Sequence, residues 1–81
     1  MPPKVKQIED FLMETESALS GFSLDVVAMR GRLPALRGII PKLAQIALET
    51  EDKELQVHLS VLEIKARNCR DCIERRLLIN S

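Results

Sequence analysis

Two cysteines near the end of the chain are the first residues whose spacing could do chemistry. Cys69 and Cys72 form a C-x-x-C motif, a spacing found in zinc sites and in thiol–disulfide catalysts. A structural zinc ion needs four ligands, so only a dimer with two such pairs could build a four-thiolate site. A redox catalyst carries the motif after a strand, at the start of a helix. Because this motif lies within a helical pattern, we predict two small packing residues, with no metal site and no cofactor.

The single histidine does not complete a catalytic or metal-binding set. His58 lies about three helical turns before Cys69, too far to bind the same ion on one straight helix. No spacing of serine, histidine and carboxylate residues indicates a nucleophile with its base. The three glycines, at positions 21, 31 and 38, do not form a phosphate-binding loop. We therefore expect His58 at the surface and predict that the protein is not an enzyme.

The composition also argues against a nucleic-acid-binding protein. The chain of 81 residues has twelve Lys or Arg and twelve Asp or Glu, so it has no surplus of positive charge for a phosphate backbone. It contains no Trp or Tyr, and its two Phe are too few to stack bases. No segment resembles a secretory signal or a membrane span, and two cysteines make no disulfide framework. These features predict an intracellular protein, cytoplasmic or nuclear.

One basic stretch, from Val26 to Leu48, offers a different function. It contains no acidic residue and four cations. The cations are Arg30, Arg32, Arg37 and Lys42. Such a segment can bind an anionic membrane surface or nucleic acid. The alternative is a core helix whose cations pair with acids of the first segment, and the candidates are Glu9, Glu14 and Glu16.

Apolar periodicity predicts three helical segments. They run from Lys4 to Leu19, from Leu24 to about Glu49, and from Asp52 to Ile79. At the first connection we expect Gly21 in the left-handed conformation, Ser23 as the N-cap of the second helix, and Phe22 packed against Val27 as a staple. Thr50 or Asp52 should cap the last helix.

The middle segment contains a repeat of seven residues. Arg30-Gly31-Arg32-Leu33-Pro34 is followed by Arg37-Gly38-Ile39-Ile40-Pro41. Each proline removes a backbone donor and crowds the carbonyl four residues earlier. The pattern therefore predicts either one helix kinked twice or short helices joined end to end.

The last segment carries apolar residues on two sides. The inner set contains Leu55, Leu59, Leu62, Ala66, Cys69, Ile73 and Leu77. The outer set contains Val57, Val61 and Ile64, and Asn68 continues it. A helix with two apolar stripes needs two neighbours, and a buried Asn at such a seam can fix register.

Together these patterns predict an all-α fold in a single domain covering residues 1–81, which could be the first domain of a longer protein. We expect a small bundle of three helical segments, the middle one Pro-kinked, assembled as a symmetric dimer through the long C-terminal helix. The predicted function is non-enzymatic protein–protein interaction, either homodimerisation or docking of a partner helix. Val57, Val61, Ile64 and Asn68 are the predicted interface. Nucleic acid and membrane are disfavoured as partners; a membrane would bind the four cations of the basic stretch.

Overall fold

The chain folds into three helices, as the apolar periodicity predicts. A computed structural model describes residues 2–79, of which 88% are helical and none is in a strand. Helix α1 covers Pro3–Ser20, α2 covers Val26–Glu49 and α3 covers Lys53–Ile79. The predicted all-α class is therefore confirmed for the described part of the chain.

Helix α3 lies at the centre of the arrangement, and both other helices pack against it. Contacts of Glu9 with His58 and of Leu19 with Arg76 show that α1 runs parallel to α3. The short connection at residues 50–52 turns α2 back along α3 in the opposite direction. The result is an up-down-up bundle that measures 43 × 19 × 16 Å.

The inner stripe of α3 forms the centre of the core. Its fully buried members are Leu59, Leu62, Ala66, Cys69 and Ile73, and Leu55 and Leu77 are half-buried beside them. The stripe meets buried residues from both other helices: Val5, Ile8, Leu12 and Leu19 of α1, and Met29, Leu36, Ile40 and Leu43 of α2. The predicted inner core of α3 is thus confirmed.

Helix α2 continues through both prolines as one helix. Pro34 and Pro41 lie inside it and both are exposed. The carbonyls that lose their usual donor belong to Arg30 and Arg37, and both residues are exposed. Short helices joined end to end are therefore not what the chain forms, and the kink stays a prediction.

The turn after α1 places a phenylalanine, not a glycine, in the left-handed conformation. Gly21 has a φ of −86°, whereas Phe22 has a φ of 54°. The Ser23 amide donates to the Ala18 carbonyl at 2.9 Å, and the Phe22 amide donates to the Leu19 carbonyl at 3.2 Å. These two bonds define a Schellman motif, whose left-handed position falls one residue after Gly21. The prediction for Gly21 was wrong because α1 continues through Ser20.

The N-cap of α2 is Asp25 instead of the predicted Ser23. The Asp25 carboxylate accepts a hydrogen bond from the Ala28 amide at 2.7 Å. The Ser23 hydroxyl instead donates to the Ala18 carbonyl at 3.1 Å, because Ser23 still belongs to the Schellman turn. Helix α2 therefore begins at Val26, later than the sequence predicts.

The predicted hydrophobic staple does not form. Phe22 is 78% exposed and Val27 is 79% exposed, so neither covers the other. The Phe22 ring instead lies under the Arg76 guanidinium, 4.4 Å from it, in a cation–π contact between the first turn and the end of α3.

Helix α3 is capped by Asp52, one of the two predicted residues. Its carboxylate accepts hydrogen bonds from the amides of Glu54, at 3.0 Å, and Leu55, at 3.3 Å. Thr50 ends α2 instead, and its hydroxyl donates to the Ile46 carbonyl at 2.8 Å. The start of α3 is therefore well defined, which fixes the direction in which each of its side chains points.

Candidate protein interaction surface

The cysteine pair lies against the core and not in an open site. Cys69 is 4% exposed, Cys72 is half-buried, and both are free thiols. Burial raises the pKa of the Cys69 thiol, and the Glu16 carboxylate and Cys72 raise it further. A raised pKa keeps the thiol protonated, which disfavours nucleophilic and redox chemistry. Within residues 2–79, no three His, Cys, Asp or Glu side chains are grouped closely enough to hold a metal ion.

The histidine lies at the rim between α1 and α3. His58 Nε2 is 2.6 Å from a carboxylate oxygen of Glu9, and their side chains are 34% and 18% exposed. A hydrogen bond between side chains so far apart in sequence holds the first half of α1 on α3. Sequence reasoning placed His58 near the surface and had no signal for its partner.

One cation of the basic stretch is directed into the bundle. Arg32 Nη1 donates to the hydroxyl of Thr15 at 2.7 Å, and Nη2 lies 3.1 Å from a carboxylate oxygen of Glu14. Thr15 is completely buried, although its residue type gave no reason to place it inside. The interpretation of α2 as a core helix that pairs with acids of the first segment therefore applies to Arg32.

The other cations of α2 leave a modest positive surface. Arg37 Nη2 lies 3.4 Å from a carboxylate oxygen of Glu74 on α3, while Arg30 and Lys42 are exposed. Two of the four cations thus have acidic partners, so the charge available for an anionic surface is smaller than the sequence suggests. Among the described residues, no helix has an apolar stretch long enough to cross a membrane.

The outer set of apolar residues on α3 is exposed along its whole length, together with Asn68. Val57 is 65% exposed, Val61 44% and Ile64 58%, and Asn68 is also exposed. We call these four residues the outer face of α3. The inner stripe uses the opposite side of the same helix, and none of the four residues belongs to the buried core or to the residues packed against it.

This face differs from the other exposed apolar side chains. Those outside it are Met13, Phe22, Val27, Leu48, Leu78 and Ile79. Single exposed apolar residues are common on proteins and need no explanation. Val57, Val61 and Ile64 instead occupy successive turns of one helix, so they form a continuous strip about 10 Å long. A continuous strip of this kind can serve as a contact surface for another helix.

Charged residues lie beyond both ends of the apolar strip. Lys53 and Glu54 precede it, and Lys65 and Asp71 follow it. Lys65 is half-buried and the other three are exposed. Sequence reasoning considered only the apolar stripe and missed these four residues, although helical spacing could have identified them.

A shallow depression of about 700 Å³ continues the outer face towards the end of α3. Its lining residues are Asn68, Asp71, Glu74, Arg75 and Leu78. Four of the five are polar or charged, unlike the enclosed apolar lining typical of small-molecule sites. The depression is therefore better suited to polar contacts at the edge of a protein interface.

A search against family models finds no match to this chain, and searches of curated proteins and of solved structures find none either. The interpretation of the outer face therefore depends on its own geometry.

Proposed function

We propose that this chain is a non-enzymatic protein interaction module whose contact surface is the outer face of α3. The observation that carries the proposal is the exposure of Val57, Val61 and Ile64 on one side of a helix whose other side is the core. Fully burying an aliphatic side chain contributes about 1.5–3 kcal/mol, and these three are already about half covered. Each would therefore contribute roughly 1 kcal/mol on contact with a partner.

The shape of the surface favours another helix as the partner. Apolar anchors at positions i, i+4 and i+7 are the pattern with which helices recognise helices. The partner is either a second copy of this chain, in a symmetric dimer, or a helix of another protein. In both cases the protein acts as a structural or adaptor domain.

We do not extend the proposal to the alternative function, in which α2 binds an anionic membrane or nucleic acid. That function would use Arg30, Arg32, Arg37 and Lys42 together. The contacts of Arg32 with Thr15 and of Arg37 with Glu74 hold two of the four against the bundle. The remaining charge gives no specific reason to prefer this function.

The proposal can be tested with one variant and a matched control. Val61→Glu puts a charge at the centre of the outer face, and Val27→Glu puts the same charge at an exposed valine on α2. Light scattering over a concentration series should show the wild-type mass rising towards twice the chain mass. Val61→Glu should stay at one chain mass, and Val27→Glu should behave as the wild type does.

Two other results would change the assignment. Association that survives Val61→Glu would contradict the outer face as the contact surface. A wild-type chain that stays monomeric at every concentration would exclude homodimerisation and restrict the proposal to a helix of another protein.

A further inference from the structure

The charges around the apolar strip are complementary to those around the same strip of a second copy. Lys53 and Asp71 are separated by about five full helical turns, so they lie in line on one flank of the strip. Glu54 and Lys65 lie on the other flank at about 100° per residue. Each flank therefore carries one positive and one negative side chain, at opposite ends of the strip.

From this arrangement we infer that the partner is a second copy of this chain, bound through α3 in antiparallel orientation with the two helices crossing near Val61. The inference rests on the proposed function, because it uses the same outer face. In an antiparallel symmetric pair, each flank meets the same flank of the other copy in the reverse direction. Opposite charges at the two ends of one flank are therefore complementary in such a pair.

The distances along the helix support the register centred on Val61. Val57 lies about 6 Å before Val61 along the helix, and Ile64 lies about 5 Å after it. In the antiparallel pair, Val57 of one copy therefore comes level with Ile64 of the other.

Lys53 lies about 12 Å before Val61 and Asp71 about 15 Å after it, so they come within about 3 Å of the same level. The lysine side chain is long enough to close that difference, and the Asp71 carboxylate, 3.1 Å from Arg70 Nε of its own chain, is 54% exposed and can accept a second cation.

The second flank repeats this match. Glu54 lies about 10.5 Å before Val61, and Lys65 lies about 6 Å after it. The difference in level is about 4.5 Å, which a lysine side chain can span. By symmetry each of the two ion pairs forms twice, so four ion pairs surround the apolar strips of the two copies.

A parallel pair would bring opposite flanks together, with Lys53 about 1.5 Å in level from Glu54 of the other copy. Lys65 and Asp71 would then differ in level by about 9 Å, so only one kind of ion pair would form on each side.

Arg75 lies about five turns after Val57, so it continues the line of the strip. In a parallel pair Arg75 would face the same arginine of the other copy, and like charges in contact oppose association. In the antiparallel pair it extends beyond the start of the other α3, towards the connection that contains Glu51 and Asp52.

The contact is short, which sets the strength of the dimer. Three apolar side chains from each copy bury less surface than the roughly 800 Å² per partner of a stable interface. The pair is therefore weak and concentration-dependent, and its dissociation should respond to single charge changes.

Charge reversal tests the orientation. Lys53→Glu would place an acid opposite Asp71, and Asp71→Lys would place a lysine opposite Lys53. Sedimentation equilibrium at low ionic strength should show dissociation constants raised about five- to tenfold by each single change, since two pairs become repulsive. The double variant Lys53→Glu/Asp71→Lys should return within about twofold of the wild type, because the pair is restored with its signs exchanged.

Lys42→Glu on α2 is the matched control, since it changes the net charge by the same amount away from the outer face. It should leave the dissociation constant unchanged. Thermal unfolding of each variant at low concentration, where the chain is monomeric, checks that all of them fold alike.

The remaining outcomes separate the orientation from the surface. If Val61→Glu abolishes association but the charge reversals have no effect or do not compensate, the antiparallel register is wrong and the outer face stands. A monomeric wild type overturns self-pairing. Association that survives Val61→Glu overturns both the register and the proposed function.

Discussion

The buried hydroxyl of Thr15 accepts a hydrogen bond from one arginine, Arg32. Thr15 has no exposed surface, and its Oγ1 accepts a hydrogen bond from Arg32 Nη1 at 2.7 Å. The bond joins α1 to α2, which otherwise each pack mainly on α3. Arg32 also contacts Glu14 at 3.1 Å and lies 5.5 Å from the ring centre of Phe11.

Replacing Arg32 with Met removes the donor but keeps most of the packing of the side-chain stem. A hydrogen bond to a charged group contributes about 1.5–3 kcal/mol, and its loss leaves the Thr15 hydroxyl buried. The exposed carboxylate of Glu14 and the ring of Phe11 add no more than about 1 kcal/mol each. We expect Arg32→Met to lower the free energy of unfolding by about 2–3 kcal/mol.

The matching change at the acceptor should lower the free energy of unfolding by less than Arg32→Met does. Thr15→Val removes the hydroxyl but leaves a guanidinium whose side chain is 23% exposed and can bond to water. We expect about 1 kcal/mol for this change. In the double variant no buried hydroxyl is left without a donor, so the free energy of unfolding should be at most about 0.5 kcal/mol below that of Arg32→Met alone.

Urea unfolding of the wild type, the two single variants and the double variant measures this coupling. Arg30→Met is the control, since Arg30 is exposed on the same helix and its loss should cost less than about 0.5 kcal/mol. If the two single effects add to within about 0.3 kcal/mol, the hydroxyl does not depend on the arginine and the reasoning fails.

Three further predictions concern the turn, the two faces of α3 and the thiols. Phe22→Gly should be about 1 kcal/mol more stable than Phe22→Ala in urea unfolding, because only glycine adopts φ near 54° without strain; equal stabilities would contradict this. Leu62→Ala should lower the free energy of unfolding by about 2.7–5 kcal/mol and Val61→Ala by less than about 1 kcal/mol, since their side chains are 2% and 44% exposed; similar losses in urea would refute the assignment of faces. Iodoacetamide should alkylate Cys72 before Cys69, and peptide mass analysis that shows the reverse order would contradict the burial of Cys69. Because burial raises the pKa of the Cys69 thiol, the free energy of unfolding should fall as pH rises above the ordinary thiol value of 9.0.

The sequence predicts the helices and the inner core because both depend on local spacing. Leu59, Leu62 and Ile73 recur with the helical period, and all three are buried. The same spacing identifies Val57 and Val61 as a separate stripe, and both are exposed. Spacing does not say whether another molecule covers that stripe.

What the sequence could not provide depends on contacts between distant segments. Thr15 is buried with Arg32 as its hydrogen-bond donor, and His58 contacts Glu9 between α1 and α3. Neither pair has a local signal. The position of Phe22 depends on where α1 ends, and an error of one residue moved the left-handed conformation away from Gly21.

The most direct test of the central claim is nuclear Overhauser contact between differently labelled copies. A mixture of isotope-labelled and unlabelled protein at millimolar concentration should show contacts between Val57 methyl groups of one copy and Ile64 methyl groups of the other. It should show none to Val27, which is similarly exposed on α2. Val57, Val61 and Ile64 signals that do not change between micromolar and millimolar concentration, with no contacts between copies, would contradict self-pairing through this face.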